Sequence, residues 1–166
     1  MEVTWLVLDP GSKDDPTIRE RLRDSNLHCA EFSQPQELTS FLIEQKRQGK
    51  LSSYKLMIEP YLPGNPMIFS PREWNGVNNF AYPTNQSLDA GFVFYENVIM
   101  NESHGPIWYP LPDTIFLSYI SLFESPVHQR MASIARRWSK INNLGLERAQ
   151  VRYVNKLDVN EGKVIF

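Results

Sequence analysis

The sequence predicts an α/β fold in which a five-stranded parallel sheet is doubly wound, with helices on both of its faces. Five short apolar runs alternate with segments of helical periodicity, and no internal repeat competes with this order. Most of the runs stop abruptly at a charged or turn-forming residue. The length of 166 residues and the hydrophobic content of 42% suit one domain over residues 1–166 that is able to bury a core.

The first half of the chain predicts three strands and two helices. Residues 5–8, 27–32 and 54–58 are short apolar runs, as is typical of strands that are covered on both faces. Each intervening segment opens on a capping residue with a proline in the first turn and then repeats apolar residues at helical spacing. These markers are Asp15, Pro16, Ile18 and Leu22 in the first helix, and Ser33, Pro35, Leu38, Phe41 and Leu42 in the second.

The second half predicts two helices and two strands after a long loop. Residues 65–87 are rich in Pro, Gly and Asn, which favour turns, and they predict an inserted loop after the third strand. Helical spacing returns at residues 92–99, and residues 114–118 form the fourth apolar run. A helix with a long apolar stripe begins at Ser125 and is expected to end near a glycine at position 145, before a last strand at residues 150–154.

The composition excludes several classes of function. A formal net charge of −2 provides no basic surface for nucleic acid. The single Cys29 cannot form an internal disulfide, and neither it nor the histidines His28, His104 and His128 have metal-ligand spacing, so we expect no metal and no cofactor. The chain shows no secretory signal and no stretch near the roughly 18 apolar residues that span a bilayer. We therefore expect a cytoplasmic protein that binds neither nucleic acid nor a membrane.

Polar residues stand at the carboxyl ends of four predicted strands. Asp9 follows the first strand, Glu59 follows the third, Ser118 closes the fourth and Lys156 follows the fifth. In an open parallel sheet the loops at these ends converge, and ligands and reactive groups gather there. The sequence therefore predicts two carboxylates, one hydroxyl and one ammonium at the same edge of the sheet.

These strand ends resemble those of the receiver domains of bacterial response regulators. Residues 59–64, Glu-Pro-Tyr-Leu-Pro-Gly, are similar to the family's phosphoacceptor stretch, in which an aspartate, two variable residues and Leu-Pro-Gly follow the third strand. Residues 115–118 resemble the end of the family's fourth strand, and in residues 153–156 an aromatic residue stands three positions before a lysine. The resemblance covers most of the chain except residues 65–87 and the last helix.

The resemblance implies a flavodoxin-like, receiver-like fold and a role for each residue at the sheet edge. It places Glu59 at the position of the phosphoryl-accepting aspartate and Asp9 in the acidic pocket that holds Mg²⁺. It makes Ser118, Tyr153 and Lys156 the switch residues that respond to the phosphoryl group.

The chain departs from the family at positions that matter for phosphorylation. Glu59 replaces the acceptor aspartate, Pro10 stands beside Asp9 so that the acidic pair is incomplete, and Leu157 replaces the proline that usually follows the lysine. Glutamate is one methylene longer than aspartate, so its carboxylate would lie nearer to Lys156 and mimic the added charge of an acyl phosphate. We therefore expect a signalling domain that works without phosphorylation, has no catalytic residues and is not an enzyme.

Other interpretations stay open on the sequence alone. Glu59 is also explained as a solvated turn residue, and Lys156 as a side chain that extends from the sheet edge into water. The functional alternatives are a phosphoryl-accepting response regulator, or a small α/β enzyme with Asp9 and Glu59 as its acid–base pair. His28 has no Ser or Asp near it in a triad pattern, and we do not expect it to be catalytic.

The expected partner is another protein or a second copy of the chain. Residues 158–166 are too short for a full last helix, so we expect either that the chain continues in a longer protein or that this face is covered differently. Without the last helix, a strip of the sheet would expose apolar surface that a partner covers. The inserted loop offers either a small core over the sheet edge or a binding surface. Its aromatic residues are Phe69, Trp74, Phe80 and Tyr82.

Overall fold

A computed structural model describes most of the chain. The described residues are 3–9, 16–25, 27–61, 89–101, 106, 108–164 and 166, with only the backbone of 16–19. Several predictions fall outside these residues and are not addressed by the structure. They concern the inserted loop at 65–87 with its aromatic residues, the Leu-Pro-Gly segment, Pro10, the capping residue Asp15, the side chain of Ile18, and His104.

Five parallel strands form the sheet in the order β2-β1-β3-β4-β5. The strands β1 to β5 are Thr4–Leu8, His28–Phe32, Tyr54–Ile58, Thr114–Ser118 and Val151–Asn155. Leu8 pairs with Phe32 on one side and Ile58 on the other, and Ser118 pairs with Asn155, so the carboxyl ends of the strands meet at one edge. The predicted fold class is confirmed, and the strand order is that of flavodoxin-like folds.

Helices cover both faces of the sheet. The helices α1 to α5 are Pro16–Asp24, Pro35–Arg47, Ala90–Phe94, Ser125–Ile141 and Lys156–Asn160. Helix α3 continues as a π-helical turn over Tyr95–Ile99, and 3-10 turns occupy Leu51–Ser53 and Leu146–Arg148. Apolar residues of α2, α3 and α4 pack on one face, and those of α1 and α5 pack on the other. None of the helices in the described part of the chain is long and apolar enough to cross a membrane.

Successive residues of the central strands enter opposite core layers. In β1, Leu6 and Leu8 join the layer under α2, α3 and α4, whereas Trp5 and Val7 join the layer under α1 and α5. Side chains of a strand alternate between the faces of the sheet, so a strand that is covered on both faces is apolar throughout. This explains why β1 appears in the sequence as a continuous apolar run.

An ion-pair network fastens α4 to the segment around α3. Arg130 of α4 pairs with Asp89 and, at 2.6 Å, with Glu96, while Arg137 pairs with the other oxygen of Glu96 at 2.8 Å. The guanidinium of Arg130 also lies 4.8 Å from the centre of the Phe92 ring. Planar guanidinium groups suit such combined ion-pair and ring contacts. The network therefore fixes α3 beside the carboxyl edge of the sheet.

The predicted N-cap of α2 is wrong by one position. Gln34, with extended backbone at φ −128° and ψ 140°, precedes the helix and makes no side-chain cap bond. The backbone N–H of Ser33 donates to the carboxylate of Glu37 at 3.3 Å. The helix start is therefore set by Pro35, whose fixed φ suits the first turn, and by a carboxylate that reaches back over it.

The predicted end of α4 near Gly145 is also too late. The helix ends at Ile141, and Asn143 adopts a left-handed conformation with φ 53°. The N–H of Leu144 donates to the Ser139 carbonyl at 2.9 Å, and that of Asn143 donates to the Lys140 carbonyl at 3.2 Å. These bonds form a Schellman cap, in which asparagine takes the position that glycine occupies most often.

The expectation of an open apolar strip beside the last helix is wrong for the sheet. Its residues on the α1 and α5 face are buried: Trp5, Val7, Met57, Ile115, Leu117 and Val154. Although α5 has five residues, its Val159 packs into this layer with Leu22 of α1, and Val164 and Phe166 add partly buried surface. A short helix and the segment after it therefore cover the face that a full last helix would cover.

Candidate functional site

Two carboxylates follow the neighbouring strands β1 and β3. Asp9 comes after Leu8 and Glu59 comes after Ile58, and Leu8 and Ile58 pair across the ladder. The backbone N–H of Glu59 donates to the Leu8 carbonyl at 2.9 Å, and that of Asp9 donates to the Phe32 carbonyl at 3.1 Å, so both residues stay tied to the sheet. In this strand order, β1 and β3 flank the switch point at which ligands bind in flavodoxin-like folds.

Lys156 joins the two carboxylates. Its Nζ lies 2.7 Å from Oδ2 of Asp9 and 2.9 Å from Oε2 of Glu59. Lys156 is the first residue of α5, and the side chain of Asn155 caps this helix by accepting from the Leu157 N–H at 2.8 Å. Because β4 separates β5 from β3, the long lysine side chain crosses the end of β4. Of the four groups expected at this edge, the structure thus brings Asp9, Glu59 and Lys156 into contact, and we call these three the carboxylate–lysine site.

The carboxylate–lysine site is closed to water. The side chains of Lys156 and Asp9 are 5% and 3% exposed, and that of Glu59 is 11% exposed. Glu59 uses both oxygens, because Oε1 accepts from the Tyr61 N–H at 3.1 Å while Oε2 contacts Lys156. With all three groups ionised, two carboxylates share one ammonium and a net charge of −1 is buried.

Burial and the neighbouring charges together decide how the site binds protons. Burial raises the pKa of Glu59 above its ordinary range, and the nearby ammonium of Lys156 opposes that rise without cancelling it. For Lys156, burial acts to lower the pKa, but Glu59 and Asp9 together outweigh it and raise the pKa. The ammonium therefore stays charged, and a single added proton on Glu59 makes the site neutral.

Ser118 and Tyr153 belong to a second unit built on the loop after β4. The hydroxyl of Ser118 accepts from the Ile120 N–H at 3.2 Å, and the hydroxyl of Tyr153 donates to the Ile120 carbonyl at 2.7 Å. Burial raises the pKa of Tyr153 to about 12, although a hydrogen bond with Ser118 opposes the rise, so this phenol remains a donor at neutral pH. The two predicted switch residues thus hold the same backbone, while their switch role stays a prediction.

Two residues that sequence analysis missed shape the carboxylate–lysine site. The ring of Tyr119 lies 5.3 Å from Nζ of Lys156, close enough for a cation–π contact. Gly91, at the start of α3, touches the other side of the site. A side chain at position 91 would clash with the backbone of Glu59 and Pro60. The backbone N–H of Gly91 donates to the Pro60 carbonyl at 3.0 Å. In the sequence, Gly91 could have been noticed as a glycine at the start of a helix. Tyr119 could have been noticed because it follows Ser118.

The charge that faces the two carboxylates belongs to the chain itself. Among the residues that the structure describes, no group of three or more His, Cys, Asp and Glu side chains is arranged to hold a metal ion. The positive charge beside Asp9 and Glu59 comes from the ammonium of Lys156. What the site does chemically is therefore to hold three side chains in fixed positions at the switch point of the sheet.

Removal of the ammonium should destabilise the fold. In Lys156→Met, two carboxylates remain buried without their cation, and the loss of one partner of a buried ion pair costs about 3–5 kcal/mol of unfolding free energy. Urea unfolding at pH 7 measures the change. Lys163→Met is the matched control, because it breaks an exposed ion pair with Glu161 and should leave the unfolding free energy unchanged. A parent-like stability of Lys156→Met would contradict the buried ion pairs.

The Glu59 carboxyl should titrate above its ordinary pKa of 4.5. The folded protein then binds this proton more tightly than the unfolded chain, so its stabilising contribution is complete below the unfolded pKa and is lost as pH rises through the folded one. Carbon-detected NMR of the side-chain carboxyl, assigned with Glu59→Gln, measures the midpoint. Unfolding free energies should agree with this midpoint. As pH falls from the folded pKa of Glu59 to its unfolded pKa, the parent should become more stable relative to Glu59→Gln. A midpoint at or below 4.5 would show that burial does not dominate.

Comparison with known proteins identifies no relative of the chain. The chain was compared with models of protein families, with curated proteins and with solved structures, and none of them matches. The likeness to receiver domains therefore depends on the residues at the strand ends, and the fold class depends on the strand order.

Proposed function

We propose that the protein is a receiver-like signalling domain that acts without phosphorylation, by binding another protein or a second copy of itself. The observation that carries the proposal is the pairing of buried Lys156 with both Asp9 and Glu59. Each carboxylate is thus already in contact with a cation that belongs to the chain itself. With one ammonium in contact with both carboxylates, the three side chains engage one another, which supports a structural use of the site.

The position of Glu59 supports a fixed signalling state. Its Oε2 contacts Lys156 at 2.9 Å, which is the kind of charged contact that a phosphorylated acceptor would make with this lysine. In a two-state domain, a permanent negative charge at this position favours one arrangement of the loops at the sheet edge. Such a domain signals by its presence and concentration, and no modification is needed.

The alternative of an enzyme with Asp9 and Glu59 has less support. An acid–base pair needs two groups that reach a substrate and differ in protonation state. Here both carboxylates are buried and contact the same ammonium. We also propose that the domain works in the cytoplasm, where the free thiol of Cys29 would persist.

A phosphodonor assay tests the proposal. The parent and Glu59→Asp, each incubated with acetyl phosphate and Mg²⁺, should stay unmodified in intact-mass spectra, because Lys156 would still occupy the carboxylates. A phosphorylation-competent receiver domain in the same buffer is the control that the reagent is active. A stable acyl-phosphate adduct on the parent would contradict the proposal and would favour the phosphoryl-accepting alternative.

A further inference from the structure

The loop that follows β4 exposes aromatic surface next to the carboxylate–lysine site. Phe123 is 96% exposed and Tyr119 is 47% exposed, in a loop of six residues at 119–124. Single exposed apolar residues are ordinary, but a phenylalanine with nearly all of its surface exposed is a large apolar side chain left in water. Aromatic side chains presented in this way supply much of the binding energy of protein interfaces.

Hydrogen bonds hold this loop in one shape. The Ile120 backbone is fixed on both sides by Ser118 and Tyr153. Further along, the hydroxyl of Ser121 accepts from the Phe123 N–H at 3.1 Å, and its carbonyl accepts from the Glu124 N–H at 3.2 Å. A loop that is fixed before binding loses little conformational entropy when a partner docks. The exposure of Phe123 is therefore part of a preorganised loop.

The start of α5 continues the exposed surface. The hydroxyl of Tyr119 accepts from the side chain of Asn160 at 3.4 Å, and its ring lies over Lys156, so the loop and α5 are in contact. Leu157, which follows Lys156, is 54% exposed. We call Tyr119, Phe123 and Leu157, with the residues between them in the loop and α5, the loop–α5 surface.

The charge of the loop–α5 surface is negative. Residues 119–124 and 157–160 contain the exposed carboxylates Glu124 and Asp158 and no Lys, Arg or His. The neighbouring carboxylate–lysine site sets two carboxylates against one ammonium. Two cations lie at the far end of α5, where Arg21 donates to the Asn160 carbonyl and Lys163 interacts electrostatically with Asp158. Complementary charge on a partner would be positive.

We propose that the loop–α5 surface binds a segment of another protein in which an apolar or aromatic side chain is flanked by Lys or Arg. The apolar residue would contact Phe123 and Leu157, and the basic residues would face Glu124 and Asp158. A second copy of this chain is a poorer occupant, since a symmetric contact would bring the same carboxylates together. The inference rests on the proposed function, because it names the partner of a domain that acts by binding.

Selection from a displayed library of random 12-residue peptides tests the surface, with the purified full chain as target. The selected peptides should be enriched in Lys and Arg beside Leu, Phe or Trp. In fluorescence anisotropy, Phe123→Ser should raise their Kd roughly tenfold or more, as expected for an interface anchor. Leu146→Ser is the matched control: Leu146 is 56% exposed on the turn before β5, and its loss should leave Kd unchanged.

Three outcomes would overturn the inference. They are selected peptides that are acidic, peptides that bind the parent and Phe123→Ser equally, and a selection without any Phe123-dependent peptide. Sedimentation of the parent and of Phe123→Ser adds a fourth outcome that would overturn it. A dimer of the parent that Phe123→Ser abolishes would show that the occupant is a second copy of the chain. None of these outcomes creates a phosphorylation site, so the proposed function would survive them. An acyl-phosphate adduct would instead defeat the proposed function and leave the peptide result standing.

Discussion

The rest of the site depends on the ion pairs that the buried ammonium of Lys156 makes with Asp9 and Glu59. Three strands contribute to these pairs, because Asp9 follows β1, Glu59 follows β3 and Lys156 follows β5. Either carboxylate alone would be costly to bury, and both together would repel each other. The lysine offsets this cost and in doing so crosses the end of β4, where Tyr119 covers it. The same contacts that make the edge of the sheet stable place a cation of the chain itself beside both carboxylates.

In the proposed function, binding falls to the surface around the carboxylate–lysine site. Lys156 is followed directly by Leu157, and the loop that holds Tyr119 continues to Phe123. Ser118 and Tyr153, which bind the backbone of this loop, connect its shape to the strands β4 and β5. A change in the carboxylate–lysine site would therefore be felt by the exposed residues through two short chains of contacts. These contacts are the route by which the buried charges would act on the loop–α5 surface in its proposed role.

The fold and the three charged residues were predictable from the sequence because they follow from local pattern. Parallel strands bring their carboxyl ends together, so a polar residue after each apolar run was enough to place Asp9, Glu59 and Lys156 at one edge. Contacts that depend on the approach of distant segments left no such pattern. Gly91 is needed because α3 lies against the backbone of Glu59, 32 positions earlier in the chain. The cover of the sheet by α5 and Phe166 was missed for the same reason, since length alone suggested an open face.

The central claim is that Lys156 and Glu59 act as one buried unit, and a double-mutant cycle tests it most directly. The unfolding free energies of the parent, Lys156→Met, Glu59→Gln and the double variant give the coupling between the two side chains. The buried contact predicts a favourable coupling of about 1–3 kcal/mol at pH 7, the upper part of the range for residues in direct contact. The exposed pair Lys163 and Glu161 provides the reference cycle, in which no coupling is expected. Additive effects of Lys156→Met and Glu59→Gln would show that the two side chains do not interact in the folded protein and would contradict the account.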